Sequence, residues 1–199
     1  MRRSHPLRYL ASTASLGVFP LTVAEDELSY VLELAAIVAG SSENVRARPF
    51  VWGSVCPDSP LSYSQSTADI LIRYAELGLP VAIAPCPIAG GTSPVTLAGT
   101  LVQQNAEFLA GLVLVQAIRP GCAVKYTTRP IPMDMRTATA AFGAIELGIM
   151  SAAIVQLARR YRVCSDVYGL GTSARALDEQ AAYEKALNGL LVALAGADL

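Results

Sequence analysis

The sequence predicts an α/β fold, and within that class part of a parallel (β/α)8 TIM barrel of about five β/α units. Three observations carry this expectation. Short β-rich apolar runs alternate strictly with long helical patterns, at a repeat of roughly 30–45 residues. The segments that follow the strands are long and rich in Pro and Gly: CPDSPLSYSQ (56–65), CPIAGGTSP (86–94) and TTRPIPMDMRT (127–137). The segments that lead into the strands are short, as in LGLP (77–80) and RPGC (119–122). Elaborate loops at the carboxyl ends and tight turns at the other are how a barrel carries its active site. An open doubly wound sheet also satisfies the alternation. Five units are too few to close an eight-stranded barrel, and the chain stops at AGADL (195–199), where a strand is due. The expectation is one incomplete barrel domain over 1–199, with units missing after Leu199 and others before Met1 left open.

The strands are expected at 7–12, 50–56, 81–86, 123–127 and 163–168, and the helices at 25–39, 64–77, 94–118, 137–160 and 178–195. The helix over 94–118 has the firmest boundaries. Ser93 can cap it, Pro94 suits its first position, and Arg119-Pro120-Gly121 ends it. Projected at about 100° per residue, Leu97, Leu101, Phe108, Leu109, Leu112 and Val115 share one face. Thr96, Thr100, Gln103, Gln104 and Glu107 fall on the other. Asn105 and Gln116 break the pattern by falling within the apolar face. A buried amide without partners costs about 1–3 kcal/mol, so both are expected to be buried and hydrogen-bonded. They satisfy nearby backbone, or they position a ligand-bearing loop.

Composition narrows the function classes. The 199 residues carry a formal net charge of −1 and no cluster of Lys and Arg, so neither nucleic acid nor an anionic membrane is expected as partner. Mean hydropathy is +0.43. Polar residues nevertheless interrupt the apolar helices, at Gln103, Asn105, Glu107 and Gln116 in one and at Glu146 and Gln156 in another. Buried helices of a soluble protein fit this better than membrane spans. The N-terminus MRRSHPLRYLASTAS lacks the apolar run of a secretory signal. Cys56, Cys86, Cys122 and Cys164 contain no CxxC pair, so neither a zinc site nor a redox dithiol is signalled, and free cytosolic thiols are expected. His5, in the N-terminal segment, is the single histidine, so a Ser-His-Asp triad, a Cys-His pair and a His-rich metal site are not expected.

Several residues bear on chemistry. GLGTSA (169–174) has the G-x-G-x-x-A form of a dinucleotide loop, but a Gly-rich turn after a barrel strand explains it equally well. Lys125 lies within a strand, where a barrel lysine can form a Schiff base. If Tyr126 points into the barrel, Lys125 points at the helices and snorkels to the strand end. Tyr9, Trp52, Tyr126 and Tyr168 fall on four of the five strands and could converge as a cage for an alkylammonium group. Aromatic core packing is the plainer alternative. Asp58, Asp134 and Asp178 stand near loop ends or helix starts. Glu146, among small and apolar neighbours in AAFGAIELGIMSAA, would need a partner if buried.

The segments PIAGGTSPVTLAGTLVQQNAEFLAG (87–111), LVQAIRPG (114–121), PMDMRT (132–137), the Glu146 segment, QLARRY (156–161) and DEQAAYEKAL (178–187) together resemble the trimethylamine:corrinoid methyltransferase family. That resemblance implies a (β/α)8 barrel more than twice this length. It implies methyl transfer from a methylated tertiary or quaternary amine to the cobalt of a corrinoid (cobalamin) carried by a cognate partner protein, with no cofactor bound directly. The chain departs from the pattern at LGTSARALD (170–178) and at Ala182. Members acting on trimethylamine carry pyrrolysine; none stands in these 199 residues, which leaves a position beyond Leu199 open, while relatives without it use quaternary amines such as glycine betaine. Against this background, Tyr126, Tyr168, Asp134 and Glu146 are the expected substrate contacts, with Arg129 and Arg136 facing any substrate carboxylate. Gly90, Gly91, Thr92, Asn105, Glu107, Asp178 and Gln180 are expected to position the loops. A Schiff-base lyase using Lys125 and an inactive barrel fragment are the alternatives, and a homo-oligomer is left open.

Overall fold

The computed structural model describes residues 25–199, with side chains from Leu28 onward. The expected strand over 7–12, with Tyr9, lies outside the described residues, as does His5. Helices α1 (Glu25–Ala39) and α2 (Ser42–Ala47) precede β1 (Gly53–Val55). There follow α3 (Gln65–Leu77), β2 (Val81–Ile83), β3 (Ile88–Ala89), α4 (Leu97–Ile118) and β4 (Val124–Thr128). Then come β5 (Ile131–Asp134), β6 (Thr139–Ala140), α5 (Ile145–Tyr161), β7 (Cys164–Val167) and α6 (Glu179–Ala195). Ser64 caps α3 by accepting the Thr67 amide, and Asp178 caps α6 by accepting the Ala181 amide at 3.0 Å.

Four strands form one sheet in the order β1-β2-β4-β7. Gly53 N donates to Pro80 O and Val81 N to Ala123 O, and β4 runs parallel to β7 with Thr127 opposite Asp166. Each strand passes through a helix to its own neighbour, and the order never reverses. A doubly wound sheet reverses at a switch point; a barrel segment steps in one direction, as this sheet does. A second sheet, β3-β5-β6, pairs β3 parallel to β5 and β5 antiparallel to β6.

Two helix boundaries differ from expectation. The helix expected over 137–160 begins at Ile145, because Thr139 and Ala140 pair with Asp134 and Met133 as a hairpin strand. Ala138, at φ +54°, turns that hairpin in a left-handed conformation that a helix cannot continue through. Helix α4 begins at Leu97, three residues late. The Ser93 hydroxyl is engaged by that of Thr100, and Thr96 Oγ1 accepts the Gly99 amide at 3.2 Å.

The described residues group into two compact units. The first takes residues up to Val55 with Tyr63–Ala82 and Gly111–Val124. Its core joins Leu28, Val31 and Ala35 of α1 to Ile70, Leu71 and Tyr74 of α3, with Val51, Val55 and Val81 from the strand region. Gln116 serves the exit of α4 there, accepting the Gly121 amide and donating to Cys122 O, both at 2.8 Å. The second unit takes Cys56–Ser62, Ile83–Ala110 and Lys125–Leu199. Leu147, Met150, Ile154 and Ala158 of α5 are fully buried in it, and α5 packs on β7 and α6. Gly148 brings α5 and α6 close: its amide donates to Asn188 Oδ1, and a Cβ there would stand 2.7 Å from that oxygen.

Helix α4 is long and apolar enough to cross a membrane by length and composition. Its buried side, however, centres on Thr100, Gln104, Glu107, Phe108, Gly111 and Val115, one step around from the projected face. Asn105 and Gln116 are hydrogen-bonded but only half-buried. Hydrogen-bond partners override apolarity here: the polar side chains are inside because their donors and acceptors are met.

Candidate active site

Strands β4 and β7 turn opposite faces to two different environments. In an extended strand, alternate side chains point to opposite sides. Tyr126 and Thr128 turn toward α4, whereas Lys125, Thr127 and Arg129 turn the other way with Asp166. On the α4 side, Tyr126 is fully buried and stacks on Phe108 with ring centroids 3.8 Å apart. Its hydroxyl accepts from Gln104 Nε2 at 2.9 Å and donates to Asn105 Oδ1 at 2.8 Å. Asn105 Nδ2 continues to the Tyr161 hydroxyl at 2.9 Å, and Thr128 Oγ1 donates to Gln104 Oε1 at 2.8 Å. Burial pushes the Tyr126 phenol well above its usual range, so it stays protonated. Tyr126 is therefore a core residue locked to a helix and not a cage wall. It and Tyr168 lie on opposite faces and do not converge.

The other face holds the charges. Asp166 takes Arg129 Nη2 at 2.7 Å on one oxygen and Lys125 Nζ at 3.0 Å on the other. All three side chains are mostly shielded, at 15–22% exposure. Burial raises the Asp166 pKa, but the two cations outweigh it and hold the carboxyl below its ordinary value. The Arg129 guanidinium lies 4.7 Å from the Tyr168 ring centre, and Phe142 meets that ring edge-on at 6.0 Å. Lys125 thus lies opposite to the helix-facing side expected for it, and its ammonium is bound to a carboxylate.

Beside Arg129 lie two thiols. Cys56 follows β1 and Cys86 follows β2 closely, with Cys86 Sγ 3.3 Å from Ala84 O. The Arg129 amide donates to Pro85 O at 2.8 Å, tying the end of β4 to the residue before Cys86. The carboxyl ends of four adjacent strands therefore present Cys56, Cys86, Arg129 and Tyr168.

The polar turn of α4 anchors the loops around these strand ends. Glu107, 1% exposed, accepts from Ser59 Oγ at 2.8 Å, the Leu61 amide at 2.9 Å and Gln103 Nε2 at 3.0 Å. Gln103 also donates to Thr92 O at 2.8 Å. Thr92 Oγ1 accepts the Ile88 amide, while the Gly91 and Thr92 amides return to Ile88 O, closing a tight turn. Gly90 sits in that turn at φ +87° against Met135. Because Ala89 is opposite Pro132, the Gly90–Thr92 turn and Met133–Asp134 lie at one end of the β3–β5 pair.

The remaining expected residues lie elsewhere. Asp134 accepts the Arg136 amide in an exposed hairpin turn, with Arg136 itself 90% exposed. That turn holds the Asp134 carboxyl below its usual range. Arg129 and Arg136 therefore do not form a pair. Glu146 is exposed in the first turn of α5, where a carboxylate favours the helix N-terminus, so it is neither buried nor in need of a partner. Asp178 is a helix cap. Gln180 donates to Glu184, whose carboxylate accepts from Thr172 Oγ1 and the Ser173 amide. The Gly-rich loop thus already spends donors on a carboxylate, which removes the phosphate-cradle reading. Sequence reasoning missed Asp166 and Glu184, and named Cys56 and Cys86 only as free thiols. Only Asp166 left a signal, an acidic residue inside a strand.

Parallel strands in the order β1-β2-β4-β7, with charged and polar side chains at their carboxyl ends, are compatible with part of a β/α barrel. A family model described as trimethylamine methyltransferase (MTTB) matches residues 11–199. The chain is 42% identical to a trimethylamine methyltransferase of Methanosarcina barkeri, over 95% of its own length and 38% of the relative's. It is 40% identical to one from Desulfitobacterium hafniense, over 98% of this chain and 39% of that one. A glycine betaine methyltransferase of D. hafniense is 37% identical over 87% of this chain and 35% of its own. The chain belongs to the trimethylamine methyltransferase family. It spans well under half the length of these relatives.

Proposed function

We propose that this chain contributes to methyl transfer from a methylated amine to the cobalt of a corrinoid carried by a separate protein. The N–CH3 bond breaks, the amine keeps the electron pair, and the methyl group passes to the metal of the acceptor. No resident cofactor is needed for this, and none of the chain's own residues must supply a strong acid when a quaternary ammonium leaves as a neutral amine. The observation that carries the reading is the cluster at the strand ends, built on a chain whose relatives bear methyltransferase names. Asp166 fixes Lys125 and Arg129, and Arg129 covers one face of Tyr168.

The same cluster favours one kind of amine. Lys125 and Arg129, set beside Tyr168 in a shielded place, offer cations to a substrate carboxylate, which favours a substrate that carries one. A betaine fits this better than trimethylamine. The Schiff-base alternative is disfavoured, because the Lys125 ammonium is held by Asp166 at 3.0 Å. The test mixes the chain with a reduced corrinoid protein and each methylated amine, and follows the corrinoid absorption spectrum. Methylation with a betaine, and less with trimethylamine, is expected. An unchanged spectrum with every amine, where a full-length relative reacts, overturns the reading and leaves the inactive fragment.

A further inference from the structure

We infer that the outward side of α6 is a docking surface for a second copy of this chain, paired antiparallel about a two-fold axis. Helix α6 buries Ala181, Asn188 and Val192. Its neighbours fix the directions around it. Helix α5 lies on the Asn188–Leu191 side, where a Cβ on Gly148 would meet both side chains. The exit of β7 lies on the Val192–Gly189 side, where a Cβ on Gly169 would meet both residues. Projected at about 100° per residue, Tyr183, Leu187, Leu190 and Leu194 fall about half a turn from that strand exit. All four are 49–76% exposed. Their spacing of four, three and four residues is an a/d seam, the pattern by which one helix packs along another. A solvated helix face ordinarily carries charge, yet no residue from Ala186 to Ala195 is charged.

A further barrel unit would not cover this seam. Leu199 N donates to Ser165 O at 3.2 Å, and Val167 N donates to Leu199 O at 3.3 Å. Alternate residues of a strand turn their amides and carbonyls to opposite edges, so Leu199 lies on the edge of β7 away from β4. A strand added along that edge would bring its helix to the flank of α6 opposite α5. That flank carries the exposed Ala182, Ala186 and Ala193, small enough for a close neighbour. The seam points outward from the ring of helices and needs another molecule.

The seam itself indicates which molecule. Its spacing is the same read in either direction, so a two-fold axis between Leu187 and Leu190 maps it onto itself. Leu187 then meets Leu190 of the partner subunit, and Tyr183 meets Leu194 of the partner subunit, an isologous contact. The four side chains expose on the order of 500 Å², so two copies would bury about 1,000 Å² before any rim is counted, the size at which an interface becomes specific. Pairing of this kind does not depend on the methyl-transfer reading.

Sedimentation velocity of the full chain, over a dilution series through the micromolar range, tests the pairing. The expected result is a reversible equilibrium between the 20.9 kDa chain and a species of twice that mass. Leu187→Glu and Leu190→Lys each set like charge near the two-fold axis. Each should weaken the dimer at least about thirtyfold, as loss of a buried interface anchor does, with circular dichroism unchanged. An equimolar mixture of the two variants should re-form dimers, because the antiparallel arrangement sets opposite charges face to face. Val113→Glu, at an exposed apolar position on α4, should leave the dimer intact. A chain that stays monomeric throughout the series overturns the inference. So does a dimer that Leu187→Glu leaves intact or that Val113→Glu breaks equally, and so does a mixture that stays monomeric.

Discussion

Arg129 Nη2 and Asp166 Oδ1 stand 2.7 Å apart across the β4–β7 pair, on the face opposite Tyr126. The same carboxylate meets Lys125, so one acidic side chain neutralises part of a shielded cationic face. Asp166→Asn should leave two cations facing each other and destabilise the fold by about 3 kcal/mol, as removal of one member of a buried pair does. Chemical denaturation of both proteins measures it.

The pH dependence of that difference follows from the direction of the shift. The Asp166 pKa is lowered in the fold, so its stabilisation is complete above the ordinary carboxylate value of 3.8 and is lost as pH falls through the folded value. The stability gap between the native chain and Asp166→Asn should be constant near neutrality and narrow below about pH 4. A gap that widens on acidification would contradict the ion-pair account.

Tyr126→Phe removes the hydroxyl shared by Gln104 and Asn105 and should cost about 1–3 kcal/mol, read as a lower melting temperature. Amine affinity should not change. Weakened binding with unchanged stability would restore Tyr126 to the substrate site.

Glu107→Gln replaces an acceptor-only group that three donors share. Amide exchange at Leu61 should quicken, because that amide loses a charge-assisted bond, while exchange in the middle of α4 stays slow. Equal acceleration throughout α4 would mean that Glu107 supports the helix and not the loop.

Gly90→Ala places a side chain at φ +87°, a conformation that costs an ordinary residue about 1–2 kcal/mol. Its Cβ would also press on Met135 Sδ at 2.7 Å. Because backbone strain is the larger part, adding Met135→Ala should recover only a minority of the lost stability.

The sequence made the alternation of strands and helices legible because burial on both faces writes a continuous apolar run into a strand such as VAI. It did not reveal β3, β5 and β6, whose two to four residues are too short to carry a period. The polar turn of α4 was visible as an anomaly, but its direction was not. Gln104 and Glu107 read as solvent-facing by polarity, and only the partners Tyr126, Ser59 and Leu61 make them interior residues. Facing in β4 inverted for the same reason: alternation separates Lys125 from Tyr126 but does not say which side is which. Asp166, 41 residues from Lys125, could be joined to it only by the register of two strands.

Because Glu107 grips the Ser59–Leu61 segment while Gln103 grips both Glu107 and Thr92, two loops far apart in the chain share a single anchor. They cannot loosen separately without breaking a buried contact. The rim therefore has fewer independent motions than its loop count suggests, and pressure applied to one loop is felt as tension in the other.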